Sequence, residues 1–195
     1  PGNKLPHPSN GYDMSITFWM YLNDWKYRKA KWKHVLHKGH PNTSTNSNPA
    51  FWLRWDTNDL RIQISTRFRR KLKQNYYILR DIPLKKWTQI GVVVQTNTID
   101  IYQDGKLKKS ETLRGLPVLN HGNMYINKWG GFSGIISSVS YTARSMNPVE
   151  IAGLNNLGPF RETKITKAIK TLTYPVRKIM GTTKKKTEAK CKATG

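Results

Sequence analysis

Apolar and polar side chains alternate with a period of two through most of residues 14–145, the pattern of strands with one buried face. In residues 15–22, Ile16, Phe18, Met20 and Leu22 fall on one face and Ser15, Thr17, Trp19 and Tyr21 on the other. Residues 50–55 aim Phe51, Leu53 and Trp55 one way and Ala50, Trp52 and Arg54 the other, and Leu60, Ile62 and Ile64 continue the series. Residues 87–95, 98–103, 123–129 and 134–141 repeat it, separated by polar stretches rich in Asn, Asp and Gly that mark turns. Many short alternating strands with tight polar turns predict an all-β, antiparallel two-sheet jelly-roll sandwich rather than a parallel α/β fold.

Three segments break the alternation. Residues 39–50, rich in Asn, Ser and Pro, predict one long exposed loop. Asn147 and Pro148 suit the N-cap and first position of a short helix after the last strand. Beyond it Ile165, Ile169 and Leu172 recur at helical spacing with lysines between them until Pro175, and residues 181–195 have almost no apolar content. The expected organisation is an N-terminal arm over 1–13, a jelly-roll domain over 14–160, and a basic helix plus Lys-rich tail over 161–195.

Charge changes the picture most. The 195 residues carry 34 Lys and Arg against 11 Asp and Glu, a formal +23, and the domain shares in the excess with the tail. Such a field attracts polyanions: nucleic acid, anionic lipid, sulfated glycan or an acidic protein neighbour. Two clusters interleave basic residues with aromatics. Lys26, Arg28, Lys29, Lys31 and Lys33 accompany Tyr27 and Trp32, while Arg67, Arg69, Arg70, Lys71 and Lys73 surround Phe68. Phosphate contact with base or sugar stacking would use such clusters, as would a solvated rim or an acidic partner, and no named nucleic-acid motif accompanies them. The single cysteine, Cys191, excludes an internal disulfide and leans towards a reducing compartment. No apolar run is long enough to predict a transmembrane helix.

Catalytic and metal chemistry finds little support. Asp104 precedes Gly105 between two alternating runs, where Asp-Gly forms a tight hairpin because Gly tolerates positive φ, so Asp104 is expected to be a turn corner. Asp56 and Asp59 also flank a turn and offer only a weak calcium site. A regular strand would place His34 and His40 on one face and His37 on the other, so these histidines are expected to stay apart as loop or surface residues. No acid or nucleophile is placed beside any histidine to suggest a triad.

Three stretches in order carry a resemblance. Residues 85–107 hold a strand opened by Trp87 and a second strand ending Tyr102-Gln103-Asp104-Gly105-Lys106; residues 130–151 hold Phe132-Ser133-Gly134, an alternating run, Arg144 and a short helix with Glu150-Ile151. With residues 15–22, these resemble the laminin G-like, concanavalin A-like lectin/glucanase superfamily over about residues 12–158. The resemblance implies a jelly-roll sandwich. The hydrolases of that superfamily use closely spaced strand carboxylates in a Glu-x-Asp-x-x-Glu pattern that is missing here, so the chain is expected not to be an enzyme. Where many members carry acids in the closing strand, this chain has Ser137 and Ser138, which removes expected calcium ligands. A lectin-like site is implied on exposed aromatics, with Trp19, Trp52 and Trp129 as candidates for stacking on sugar rings. Asn42-Thr43-Ser44 is a formal glycosylation acceptor, meaningful only in a secreted chain.

The basic chain with its Lys-rich tail further resembles laminin-G-like proteins associated with capsids of large DNA viruses. The leading expectation is a non-catalytic interaction module, a minor capsid or virion-associated protein. Its tail would reach neighbouring capsid subunits through Lys164, Lys167, Lys170, Lys184, Lys185 and Lys186, with polyanion or nucleic acid as another counterpart. A carbohydrate-binding domain is the alternative, and a nucleic-acid-binding protein ranks below both.

Overall fold

The computed structural model describes residue 5, residues 11–43 and residues 45–160. In chain order the strands are β1 (Met14–Asp24), β2 (Lys33–Gly39), β3 (Ala50–Leu53), β4 (Leu60–Phe68), β5 (Lys71–Leu79), β6 (Trp87–Gln95), β7 (Thr98–Gln103), β8 (Lys106–Thr112), β9 (Leu116–Pro117), β10 (Asn123–Ile126) and β11 (Ser133–Thr142), followed by the helix α1 (Pro148–Asn156). The expected basic helix and tail, with their six candidate lysines, lie outside the described residues, as does most of the N-terminal arm.

One antiparallel sheet has the order β11-β1-β6-β7-β8, and the other β10-β2-β3-β4-β5 with β9 paired to the far end of β4. The chain is therefore the all-β two-sheet sandwich that the alternation predicts. Ile16, Phe18, Met20 and Leu22 all point inward and are buried, against Val92, Ile90 and their neighbours in the same sheet. Phe51, Leu53, Leu60, Ile62 and Ile64 face them from the second sheet, all almost wholly buried. Phe18 and Phe51 meet edge to face at 5.0 Å between ring centroids, joining the two sheets. Each such side chain contributes about 1.5–3 kcal/mol by leaving water.

Two local signals hold as read. Asp104 and Gly105 adopt φ of 50° and 73°, the left-handed pair that matches strand twist in a two-residue hairpin. Asp104 is more than a corner, because its Oδ1 accepts the Gln89 backbone N–H at 2.9 Å and braces β6. At α1, Asn147 accepts the Glu150 N–H and Glu150 reaches back to the Asn147 N–H, a reciprocal cap, while Arg144 pairs with the Glu150 carboxylate and holds its pKa down to about 2. Replacing Asn147 with Ala is expected to lower domain stability by about 1 kcal/mol, read by urea denaturation, and an unchanged midpoint would show the cap to be idle.

Helix α1 lies on the outer face of the first sheet. Its Ile151 forms a second small core with Val93, Tyr102 and Met146. Trp19 points to the same face, since it sits opposite Gln89 in the β1–β6 ladder and Gln89 bonds the Ile151 carbonyl. Trp19 is buried, with 8% exposure. A stacking role at the surface is thus closed to it: polar Ser15 and Thr17 beside it suggested a wet face, but the chain after β11 folds back to cover that face. Ser137 and Ser138 donate to the Pro159 carbonyl and tie this covering segment down. No helix among the described residues is long and apolar enough to cross a membrane.

Candidate functional site

The outer face of the second sheet carries the densest chemistry. A bulge decides its geometry. β2 pairs His34 with Trp52 and Leu36 with Phe51, so Val35 is an extra residue opposite no partner. The inserted residue changes the alternation, and His34 and His37 both turn outward. Their rings meet, with His34 Nε2 to His37 Nδ1 at 2.8 Å, and both side chains are fully buried. For His34 and His37 this corrects the expectation of separate, surface histidines, while His40 is exposed as expected. A regular period-two strand cannot bring residues three apart together, but a bulged one can.

The neighbours fix every proton in this pair. The Lys128 backbone N–H donates to His34 Nδ1 at 3.0 Å, so the His34 proton sits on Nε2 and is donated to His37 Nδ1. His37 in turn donates from Nε2 to the His40 carbonyl at 2.9 Å. Burial, then the neighbouring His37 and Lys128, push the His34 pKa down to about 3; burial likewise lowers that of His37. Both imidazoles are neutral at physiological pH and act as fixed connectors.

Aromatic rings surround them. Trp52 and Trp129 lie edge-on to His34 at 4.8 and 4.9 Å, Trp129 stacks on Trp52 and His37, and Tyr125 stacks on His37 at 5.1 Å. Trp129 comes from the β10–β11 turn with φ of +52°, a region that costs a bulky residue about 1–3 kcal/mol. Its carbonyl accepts from Arg28, and the Gly130 carbonyl from the Tyr27 hydroxyl, so the first basic cluster holds this strained turn in place. Of the three candidate tryptophans, Trp52 and Trp129 come together here, on the sheet opposite Trp19.

Beside Tyr125 a cleft of about 630 Å³ opens at the rim. Gly39, His40, Pro41, Thr43, Thr45 and Asn46 line one side, and Asn120, His121, Gly122 and Asn123 the other. The two sides touch at Gly39 and Gly122: a Cβ on Gly122 would lie 2.2 Å from the Gly39 carbonyl oxygen. Lys38 braces the far wall by donating to Asn120 Oδ1 and its carbonyl. Lys128 Nζ donates to the Pro41 carbonyl at 2.6 Å and lies over the Tyr125 ring. The long loop is exposed only in part. Ser47 and Asn48 are buried, with Asn48 donating to the Ser65 and Val118 carbonyls at 3.1 and 2.9 Å. The cleft, hidden in the sequence, falls in the size range of small-ligand sites and offers hydroxyls, amides, imidazoles and one ring.

The basic clusters separate. Lys26, Lys29 and Lys31 are exposed and Arg28 half-buried in the loop before β2. Lys33 is not at the surface: it is 1% exposed, its ammonium donates to the Arg54 carbonyl at 3.0 Å, and burial lowers its pKa. It belongs to β2 rather than to the loop, on the inward side of the bulge. Arg67, Arg69, Arg70, Lys71 and Lys73 are all exposed at the β4–β5 hairpin. Asp56 and Asp59 are engaged by Arg54 at 3.0 and 3.7 Å, so a calcium ion there would have to displace a guanidinium. Asp100 accepts from Ser110. Among the described residues, no three His, Cys, Asp or Glu side chains gather as a metal site.

Comparison with known proteins agrees with this architecture. The receptor binding domain of botulinum neurotoxin D superposes with a TM-score of 0.58 at 13% identity, over 79% of this chain and 39% of that one. The botulinum neurotoxin serotype G binding domain gives 0.55 at 16% identity, over 75% and 36%. This chain thus spans well under half of those domains, and the likeness is one of fold. No curated protein sequence matches. A family model does: with residues 2–152 matched to it and both sheets in place, the chain belongs to the concanavalin A-like lectin/glucanases superfamily, of the laminin G type.

Proposed function

We propose that the domain is a non-catalytic carbohydrate-binding module, with the rim cleft and the adjoining aromatic face as its recognition surface. The observation that carries this reading is the cleft of about 630 Å³ bordered by Thr43, Thr45, Asn46, Asn120, Asn123 and the Tyr125 ring. Neutral hydroxyl and amide groups suit sugar hydroxyls, and an aromatic ring suits the apolar face of a pyranose. Membership of a lectin-containing superfamily supports a binding role, as does a fold shared with the receptor binding domain of botulinum neurotoxin D. The acids described above are taken up in turns and ion pairs, which favours binding over hydrolysis. Titration of the full chain against a panel of neutral oligosaccharides should give saturable binding. Tyr125→Ala should weaken it about tenfold, the equivalent of one lost stacking contact. Absence of saturable binding to every member, or a Tyr125→Ala variant that binds as well as the parent, would overturn the assignment.

A second reading is supported by the charge. Exposed Lys26, Lys29, Lys31, Arg67, Arg69, Arg70, Lys71 and Lys73 suit a minor capsid protein seated in the virion against acidic neighbouring subunits. Crosslinks from these residues to fixed positions on other capsid chains would support it, and their absence in purified particles would remove it.

A further inference from the structure

Arg61, on β4, is a guanidinium without a counter-charge among the described residues. It lies opposite Trp52 in the β3–β4 ladder, so both side chains share the outer face. Its Cζ sits 3.8 Å from the centre of the Trp32 ring and 4.8 Å from that of Tyr76. A ring face attracts a cation but offers no oxygen lone pair. No carboxylate pairs with Arg61 among the described residues, its Nε is buried without an acceptor, and the neighbouring Trp52 Nε1 is likewise buried and unpaired. Buried donors are usually satisfied, and these two belong to side chains paired across the ladder on one face. The guanidinium is half-buried and the Tyr76 ring exposed, so the site opens to solvent.

We propose that Arg61, framed by Trp32, Tyr76 and Trp52, is a carboxylate subsite that takes the uronate group of an acidic saccharide. A guanidinium forks onto a planar carboxylate through two parallel N–H···O bonds, which an ammonium cannot reproduce. A carboxylate oxygen, or a water it orders, also gives the orphaned donors an acceptor. The Trp32 and Tyr76 rings packed against the guanidinium supply aromatic surface beside it for the sugar ring. Arg61 and Tyr125 stand three strands apart, about 15 Å at the usual strand spacing. A chain of several sugars could therefore reach from the subsite to the rim cleft. The saccharide part of this assignment rests on the carbohydrate reading above, while the carboxylate part stands on Arg61 alone.

The test uses the full chain at physiological salt, titrated with a short oligogalacturonate and with the same oligomer fully methyl-esterified, which removes the charge and caps one oxygen of each carboxylate with a methyl group. The acid form should bind about tenfold more tightly, and Arg61→Gln should abolish that preference while leaving the melting temperature unaltered. Arg61→Lys keeps the charge but not the fork and should recover little of it. Equal binding by Arg61→Lys and the parent would assign the preference to general positive charge and overturn the proposal. So would a glutamate peptide that binds through Arg61 as tightly as the uronate, by moving the carboxylate to a protein partner. Loss of ester binding in Tyr125→Ala with the acid preference intact upholds both sites. An acid preference without any ester binding would sink the neutral cleft but retain this subsite.

Discussion

Acidification from pH 7 to pH 5 is expected to cost the domain about 2 kcal/mol of stability through His34 alone. The unfolded imidazole takes a proton near pH 6.5, whereas in the fold it stays neutral until about pH 3. Between those values the unfolded chain binds the proton and the folded chain does not, so stability falls as pH falls, by about 1.4 kcal/mol per unit. His37 is shifted in the same direction and adds to the slope. The hydrogen bonds explain why relief is hard to find. A proton can enter only at His34 Nδ1 or His37 Nδ1, and each already accepts a bond, from the Lys128 backbone and from His34 respectively. Charging either ring breaks the link that seats Trp129 and orders the cleft wall. Urea denaturation at the two pH values measures the effect, and His34→Phe should flatten it. Identical stability at pH 7 and pH 5 in the parent would show that these rings charge without cost.

The second large effect lies in the core. Phe51→Ala is expected to lose about 3–5 kcal/mol, most of the stability of an ordinary domain. Phe51 is fully buried and is one half of the edge-to-face pair between the sheets. Its removal leaves Phe18 facing a void that strands on both sides hold open, because their ladders prevent collapse. Chemical denaturation reads the change, and a loss under about 1 kcal/mol would mean that the sheets close over the gap.

Legibility in the sequence followed the range of the interaction. The inward faces of β1, β3 and β4 could be read directly, because alternation is a local property of each strand. The Asp104-Gly105 hairpin and the Asn147 cap were readable for the same reason: two to four adjacent residues decide them. Trp19 was misread because what buries it arrives about 130 residues later, when α1 folds back over the first sheet. Lys33 was read with its loop neighbours, although the strand begins at that residue and draws its ammonium to the Arg54 carbonyl. Arg61 escaped notice as one basic residue among 34. Only the cross-strand register places it beside Trp52, and only the loop before β2 brings Trp32 onto it.

Val35 has a consequence for how this surface changes over evolutionary time. A strand is a two-letter alphabet of in and out, and one added residue shifts the phase of all that follows. Deleting Val35 would restore plain alternation, with His34 still opposite Trp52, Leu36 opposite Phe51 and His37 opposite Ala50. Both imidazoles would keep the outer face at a spacing of two; the native spacing of three is what requires the extra residue. The pair of rings is therefore written in the length of β2 as much as in its letters. A relative lacking the extra residue would need its two histidines spaced by two, not three, to build the same contact.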